Sequence, residues 1–395
     1  MARKRVIYQS EGLYVGPTSG DSHNETLDSV AGGSITRTGI TPAQLHRIQS
    51  INYGFDIPRQ DVNQFGQLAR IDQVILEQPT VDLDFSWYTE TGFNESQLGF
   101  HMGGVNALSH IIEGKLGTPD DNVHAGIPGS NFYIRVSAEG DDLNITNNAT
   151  DKCIGLGNVF VTNITAEASV GSFPTTSVTA EGLNMKFYAA GEGTNTAKPV
   201  PAVTPTDGAS ISNNFLLPHG TTGDANMPTA LRPGDVQFSA DSVTDSKLWR
   251  GLDASELKIQ SFSISADMSR ENLERLGSKF AYSKELEFPL TATLTMEAIV
   301  SDLIADDLAT IINSTDDKYN ATIQIFPPGY DGATNSLVNH AIAYSLKGCK
   351  TDSLSFSSSI GDNKTVSLTA TAQIGAKDDV ANGLFMYASG VSTAT

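Results

Sequence analysis

Alternation of apolar and polar residues is the dominant local pattern in this chain. Between positions 48 and 57 apolar and polar residues largely alternate, so that Ile51, Tyr53 and Phe55 share one face. The same period-two pattern recurs in other stretches, at 81–87, 354–358 and 366–370. Such alternation is typical of a strand with one buried and one exposed face. The chain is therefore predicted to be mainly β.

Helical periodicity marks two segments. Ser301 to Ser314 has a possible N-cap, acidic residues in its first turns and an apolar stripe at helical spacing, and Gly104 to Glu113 repeats the stripe. Such a stripe favours an amphipathic helix that packs against a sheet. The stripe residues predicted to enter the core are Leu108, Ile111, Ile112, Leu308, Ile311 and Ile312.

One stretch occurs twice. Residues 49–79 and 260–289 match in order, and the separation of matched positions shrinks steadily through three later blocks. The matched pairs in the first block include Gln49 with Gln260, Asp56 with Asp267, Arg59 with Arg270, and Gly66 with Gly277. Ordered matches with a drifting separation indicate two copies of one unit that have lost different loop residues. We predict a tandem duplication.

The duplication divides the chain. Module 1 is predicted at residues 1–190 and module 2 at 225–395, joined by a Gly/Pro/Thr-rich linker or surface excursion at 191–224. Each module is predicted to be α+β and mainly β, an antiparallel β-sandwich or partial barrel with one flanking helix. Residues 16–45 are predicted as a long loop, and 62–68 as a helical turn or compact loop.

Net charge and cysteine content limit the range of functions that the chain can have. The 395 residues carry a formal net charge of −20. Phosphate binding needs clustered Lys and Arg, so tight binding of nucleic acid is not expected, and an acidic surface would repel DNA. Cys153 and Cys349 have no metal-ligand spacing and are predicted to be buried thiols. No signal peptide or transmembrane segment is expected, and the protein is expected to be made in the cytoplasm.

No catalytic or cofactor motif is present in the sequence. Phosphate-binding glycine loops, the nucleophile elbow and the zinc-protease motif are all missing, and the histidines are scattered. The acidic loop at 141–151 lacks the central Gly and terminal Glu of a calcium loop. We expect no enzyme activity, no metal and no cofactor.

A β module with one side helix, a structured loop after an early strand and a long Ser/Thr-rich closing hairpin resembles the phage tail tube proteins. The resemblance covers both modules. It is carried by the strand-loop segments at 57–66 and 268–277, by the two helical stripes, and by the closing hairpins with Gly171 and Gly361. These are patterns rather than strict signatures.

The resemblance implies a structural protein of the virion tail that assembles into stacked rings with an acidic lumen for passing DNA. Three two-module chains in a pseudo-hexameric ring are favoured over six chains. Implied partners are the chain itself, tape-measure, tail-terminator and baseplate proteins, and a sheath where the tail is contractile. The residues expected to make subunit or ring contacts are Arg59, Phe65, Gly66, Arg270, Leu276 and Gly277. Packing within the module is the alternative for these residues.

The sequence is also compatible with two other functions. A sheath or decoration protein of the virion would also be a structural β protein, although a sheath subunit is normally larger and carries extended exchange arms. A carbohydrate-binding or hydrolytic β protein would need clustered aromatic residues and paired carboxylates. Trp87 and Trp249 lie in different sequence contexts, which disfavours that reading.

Overall fold

A computed structural model describes residues 11–17, 24–28, 34–38, 42–113, 129–136, 152–188, 198–199, 201, 210–211, 231–240, 252, 258–277, 280–281, 283–300, 318–327, 341–361 and 363–388. All paired strands in these residues are antiparallel. The strands up to residue 211 are β1 Glu11–Pro17, β2 Asn24–Asp28, β3 Ser34–Thr38, β4 Ala43–Gln44, β5 Ile48–Asp56, β6 Arg59–Val62, β7 Asp72–Ile75, β8 Thr80–Tyr88, β9 Ser130–Val136, β10 Lys152–Ser169, β11 Thr175–Gly182, β12 Asn184–Tyr188, β13 Lys198–Pro199 and β14 Ser210–Ile211.

The later strands are β15 Val236–Ala240, β16 Lys258–Asp267, β17 Arg270–Leu273, β18 Ser283–Leu286, β19 Thr291–Ile299, β20 Tyr319–Ile325, β21 Ile342–Ser357, β22 Thr365–Gln373 and β23 Gly383–Ala388. Helices are few and short in the described residues: α1 Phe93–Gln97, α2 Ser109–Glu113 and a 3-10 turn at Pro233–Asp235. The predicted fold class, α+β and mainly β, is confirmed.

One sheet runs through both modules, and we call it the shared sheet. Its eight strands lie in the order β5-β8-β11-β10-β16-β19-β22-β21. The middle of this sheet is the pairing of β10 with β16, which extends from Ser169↔Ser261 to Asn163↔Asp267. We call this pairing the module junction. Backbone hydrogen bonds therefore join the two modules directly.

Two smaller cover sheets lie against the shared sheet. The first contains β4, β1, β9, β12 and the first half of β10, and the second contains β15, β20, β23 and the first half of β21. Phe85 of the shared sheet meets Phe132 of the first cover sheet with ring centroids 5.8 Å apart. Phe262 and Met296 line one small cavity together with Phe238 of the second cover sheet. Each module is thus a two-layer sandwich.

The long strands β10 and β21 belong to both layers. Each bends at a residue with positive φ, Asn158 (50°) in β10 and Gly348 (65°) in β21. Asn and Gly are the residues that adopt this conformation at least cost. A register shift follows in each strand, after Val161 and after Thr351 respectively. The bend carries each strand from its cover sheet into the shared sheet.

Apart from β4 and the hairpin β2–β3, which have no counterparts among the described strands of module 2, strand order and pairing are the same in the two modules. Local details also repeat: the Gln49 side chain donates to the Arg47 carbonyl at 3.0 Å, and the Gln260 side chain donates to the Lys258 carbonyl at 3.1 Å. Gly171 has a positive φ at its hairpin tip, as does Gly361. The tandem duplication itself stays a prediction, which this correspondence supports.

The predicted helical stripe is described only in module 1. Helix α2 begins at Ser109 rather than at Gly104, and Leu108 lies just before it. Leu108 and Ile111 are buried, and Ile112 packs against the same core while half-buried. Their predicted counterparts lie outside the described residues: Leu308, Ile311 and Ile312.

Residues 63–68 lie in the loop that joins β6 to β7, which agrees with the predicted compact loop and not with a helical turn. Two other segments differ from the expectation of loops. The stretch at 16–45 contains the hairpin β2–β3 and the short strand β4. Within 191–224, β13 pairs with β14, and Pro201 is buried and accepts a hydrogen bond from the Asn184 side chain at 2.7 Å. Part of this segment therefore packs on module 1. Cys153 and Cys349 are buried thiols, as predicted.

Candidate assembly surfaces

The shared sheet has two free edges in the described part of the chain. Strand β5 pairs only with β8, and residues 350–357 of β21 pair only with β22. The outer side of each strand therefore presents backbone N–H and C=O groups without a strand partner. Such an edge is a template for pairing with another chain. We call these the β5 edge and the β21 edge.

The module junction shows how two such edges fit together. Ile164 pairs with Ala266 and Ala166 pairs with Ile264, and all of these side chains are buried. The ladder extends beyond the strands, since the Met268 N–H donates to the Thr162 carbonyl at 2.7 Å. At the other end the Val170 N–H donates to the Gln260 carbonyl at 2.9 Å.

The free edges are the counterparts of the strands in this junction. Phe55 pairs with Val81 as Ala266 pairs with Ala292, so β5 corresponds to β16. Phe356 pairs with Val366 as Ala166 pairs with Thr176, so the β21 edge corresponds to the second half of β10.

Exposure separates the free edges from the junction. Phe55 is 55% exposed whereas Ala266 is 0% exposed, and Phe356 is 49% exposed whereas Ala166 is 4% exposed. Positions that are buried at the module junction thus correspond to exposed aromatic side chains at the free edges.

The face of the shared sheet opposite the core is polar and acidic, and we call it the polar face. Most of its side chains are Ser, Thr or Asn. Its carboxylates are Asp56, Asp82, Asp84, Glu167, Glu181, Asp267 and Glu297. The basic residues on the described strands of this face are Lys258 and Lys350. The face as a whole is negative, and anions are repelled from such a surface.

The hairpin β17–β18 of module 2 is clamped to module 1. The Arg270 guanidinium lies 4.8 Å from the centre of the Phe160 ring and donates to the Lys284 carbonyl at 3.1 Å. Lys284 is itself buried and forms an ion pair with Glu181. Burial lowers the pKa of Arg270 to about 10, and nearby Glu285 opposes that shift. Cation–π contact and ion pairing therefore reinforce the module junction.

The corresponding hairpin β6–β7 of module 1 has a different environment. An ion pair between Arg70 and Asp61 at 3.0 Å links its two arms, and the Ile71 N–H donates to the Val62 carbonyl at 2.9 Å. Many of its apolar side chains face solvent. Those that are exposed are Val62, Phe65, Leu68, Ile71, Val74, Ile75 and Leu76. So many exposed apolar side chains in one short segment are typical of an interaction site.

The predicted contact residues lie on these two hairpins. Phe65 and Leu276 are fully exposed near the tips, beside Gly66 and Gly277, which have φ of 88° and 85°. Arg270 is half-buried in the clamp and contacts Phe160 of module 1, so it packs between the two modules of one chain rather than within module 2.

Arg59, the counterpart of Arg270, is exposed. That these hairpin residues contact another subunit stays a prediction. The two free edges were not predicted from the sequence. The available signal was the replacement of small core residues by Phe at matched strand positions.

Other chemistry is sparse in the described part of the chain. The rings of His101 and His110 lie 5.1 Å apart, yet no cluster of three or more potential metal ligands occurs among the residues that the structure describes. No helix in those residues combines the length and the apolar character needed to cross a membrane. Compared with known proteins, the chain matches no family model and no curated protein.

Proposed function

We propose that this chain is a structural subunit that assembles with copies of itself into rings, and that the rings stack into a tube of the phage tail type. The observation that supports this proposal is that the two free edges correspond to the two strands that pair in the module junction. The chain contains one complete junction and the two separate halves of a second one. A second chain completes that junction without any change in fold.

The junction supplies the register of the contact between chains. Glu167 pairs with Ser263 in the junction, so Ser357 of one chain pairs with Asn52 of the next. Leu354 pairs with Phe55 in the same register. Burying an aromatic side chain contributes about 1.5–3 kcal/mol, and each ladder hydrogen bond adds roughly 0.5–1.5 kcal/mol. The edge contact is therefore favourable in both its side chains and its backbone.

A ring removes every free edge. An open row of chains always leaves one β5 edge and one β21 edge unpaired, whereas closure pairs them all. Three chains give a barrel of about 24 strands, and strands about 4.8 Å apart make it roughly 40 Å across. Barrels with fewer strands already enclose an aqueous channel.

The polar face becomes the channel wall in this arrangement. The core side of the shared sheet is covered by the two cover sheets, so the polar face is the side available to line the channel. Its seven carboxylates outnumber the two lysines, Lys258 and Lys350, so the wall is negative and passing DNA is not retained. The exposed hairpin β6–β7, with Phe65 and Leu68, serves contacts between rings.

Electron microscopy of the purified chain over a concentration series, with mass photometry on the same samples, tests this function. Rings or hollow tubes are expected, with a smallest closed particle of three chains. A particle of six chains would keep the tube and correct the stoichiometry. Monomers across the whole series would overturn the proposal and favour a decoration or binding role.

A further inference from the structure

The edge strands of the two cover sheets, β12 and β23, differ in exposure. Phe187 of β12 pairs with Ile154, and Met386 of β23 pairs with Tyr344. Ile154 and Tyr344 occupy the same position relative to the bend in their long strands, so Phe187 corresponds to Met386. Met386 is 2% exposed, whereas Phe187 is 63% exposed.

The partners of β23 explain why Met386 is buried. Residues 92–113, which follow β8 in module 1, lie along β23: Met102 forms a bridge with Met386, and the Ala107 N–H donates to the Leu384 carbonyl at 2.8 Å. The Tyr344 hydroxyl reaches across to the Glu95 carboxyl at 3.4 Å. The second cover sheet therefore overlaps module 1, and the two modules meet in both layers.

The first cover sheet has no such cover in the described residues. Its edge presents Phe187 together with Ile154 and Met185, which are half-buried and pack against the core on the same face. The other face of this edge is different, since Tyr188 joins Tyr14, Tyr133 and Cys153 in a buried cluster. The exposure is thus confined to the side that faces the shared sheet in a sandwich.

We propose that this apolar face of β12 docks on module 2 of a second copy of the chain, beside Phe356. The inference rests on the proposed function and deepens it, because it adds a second layer to the contact between chains. Within the chain, the Tyr344 side chain of the second cover sheet lies beside Thr176 of β11. The counterparts of these residues are Ile154 and Val366, and Val366 pairs with Phe356. The docked rings of Phe187 and Phe356 then shield each other from water.

The partner that covers β12 is identified as a second copy of the chain by the pairing of the free edges, which repeats the module junction between two chains. Pairing of the β5 edge with the β21 edge brings module 2 of the neighbour to the side of module 1 where β12 is open. The contact would then have two layers, a pair of hydrogen-bonded strands and a buried layer of apolar side chains that packs on them. The two modules of one chain already meet in this way. An apolar surface rimmed by polar residues is typical of such an interface.

Variants at position 187 test the contact by sedimentation of the full chain over a concentration series. Phe187→Asp is expected to raise the concentration needed for half-assembly at least ~10-fold, because a carboxylate would be buried in the apolar layer. Phe187→Leu keeps the apolar side chain and is expected to change it by less than ~3-fold. Thermal unfolding of the dissociated chain checks that both variants keep the wild-type fold.

The outcomes separate this contact from the proposed function. Wild-type assembly together with unchanged assembly of a folded Phe187→Asp chain overturns the contact alone. Failure of the wild-type chain to associate overturns the proposed function and this contact with it. Should Phe187→Asp not fold, the Phe187→Cys chain is labelled with a maleimide instead. Slower labelling in assembled than in dissociated protein supports the contact, and equal rates overturn it.

Discussion

The hydroxyl of Tyr344 donates a hydrogen bond to the carboxyl of Glu95 over 3.4 Å, and this bond joins the two modules in the core. Glu95 belongs to α1 of module 1 and is 1% exposed. Burial raises the pKa of Glu95 to about 7, and hydrogen bonds that include the one from Tyr344 oppose the shift. A carboxyl group at the contact between the modules is thus held protonated well above its ordinary range.

Stability is predicted to fall as pH rises from 4.5 to 7. In that window the unfolded chain has lost the Glu95 proton, against an ordinary pKa of 4.5, while the folded chain keeps it. The difference between the two pKa values corresponds to a loss of roughly 3 kcal/mol, most of which is reached by about pH 7. Chemical denaturation at several pH values should show this fall in the wild type and a flatter profile in Glu95→Gln. Parallel profiles for the two chains would contradict the prediction.

The contact between chains is predicted to have a single strand register, in which Asn52 of one chain lies directly opposite Ser357 of the next. Asn52→Cys combined with Ser357→Cys should give disulfide-linked multimers on non-reducing gels, since their junction counterparts are directly opposite. Asn52→Cys combined with Ser355→Cys is the control. That pair is diagonal, about 7–8 Å apart, and should cross-link poorly.

The junction itself supplies the positive control for this experiment. Glu167→Cys combined with Ser263→Cys should form the same bond within one chain, because these residues are paired there. A monomer with an internal cross-link at Asn52 and Ser357 would show that one chain closes on itself, contrary to the prediction.

The clamp on hairpin β17–β18 is predicted to stabilise the junction. Arg270→Ala removes the contact with the Phe160 ring and should lower the free energy of unfolding by about 1–2 kcal/mol. Arg59→Ala is a matched control at the corresponding position of module 1, where the side chain is exposed, and should change it by less than ~0.5 kcal/mol. Denaturant unfolding of both variants measures the difference. Equal effects would mean that the clamp contributes nothing.

The acidic polar face is predicted to keep DNA from binding. Assembled wild-type protein should not retain short duplex DNA, whereas Asp84→Lys places a cation on the polar face of every chain. That variant should retain DNA at ~50 mM salt and release it by ~200 mM, as expected for phosphate contacts. Asp378→Lys makes the same charge change in an exposed loop after β22 and should retain much less. Filter binding measures retention, and similar values for both variants would count against a channel lined by the polar face.

Sequence patterns were sufficient to predict the strands that have one buried and one exposed face. The alternation around Ile51, Tyr53 and Phe55 predicted a shared face, and β5 indeed pairs these residues with Phe85, Leu83 and Val81. Period-two patterns report burial on one side of a strand, which is a local property. The class of the fold follows from the number of such patterns.

The two strands of the hairpin β6–β7 were not predicted, although the loop between them agrees with the predicted compact loop. Val62, Phe65 and Leu68 are spaced as on a helical turn, yet all of them are exposed on the hairpin. Their spacing does not reflect a buried stripe, because apolar residues in this segment lie on an outward-facing surface. The free edges were missed because strand neighbours are set by tertiary pairing. In the sequence, only the Phe residues that replace Ala at matched positions, Phe55 for Ala266 and Phe356 for Ala166, pointed to these edges.

The bends at Asn158 and Gly348 have a mechanical consequence. Each long strand is covalently continuous from the outer layer to the inner one, so a load that pulls on the shared sheet is passed along the backbone into the cover sheet. The two layers cannot slide past each other unless several ladder bonds on both sides of the bend break together. A tube wall built from such strands would resist shear as a single unit, because the backbone of each long strand connects its two layers covalently.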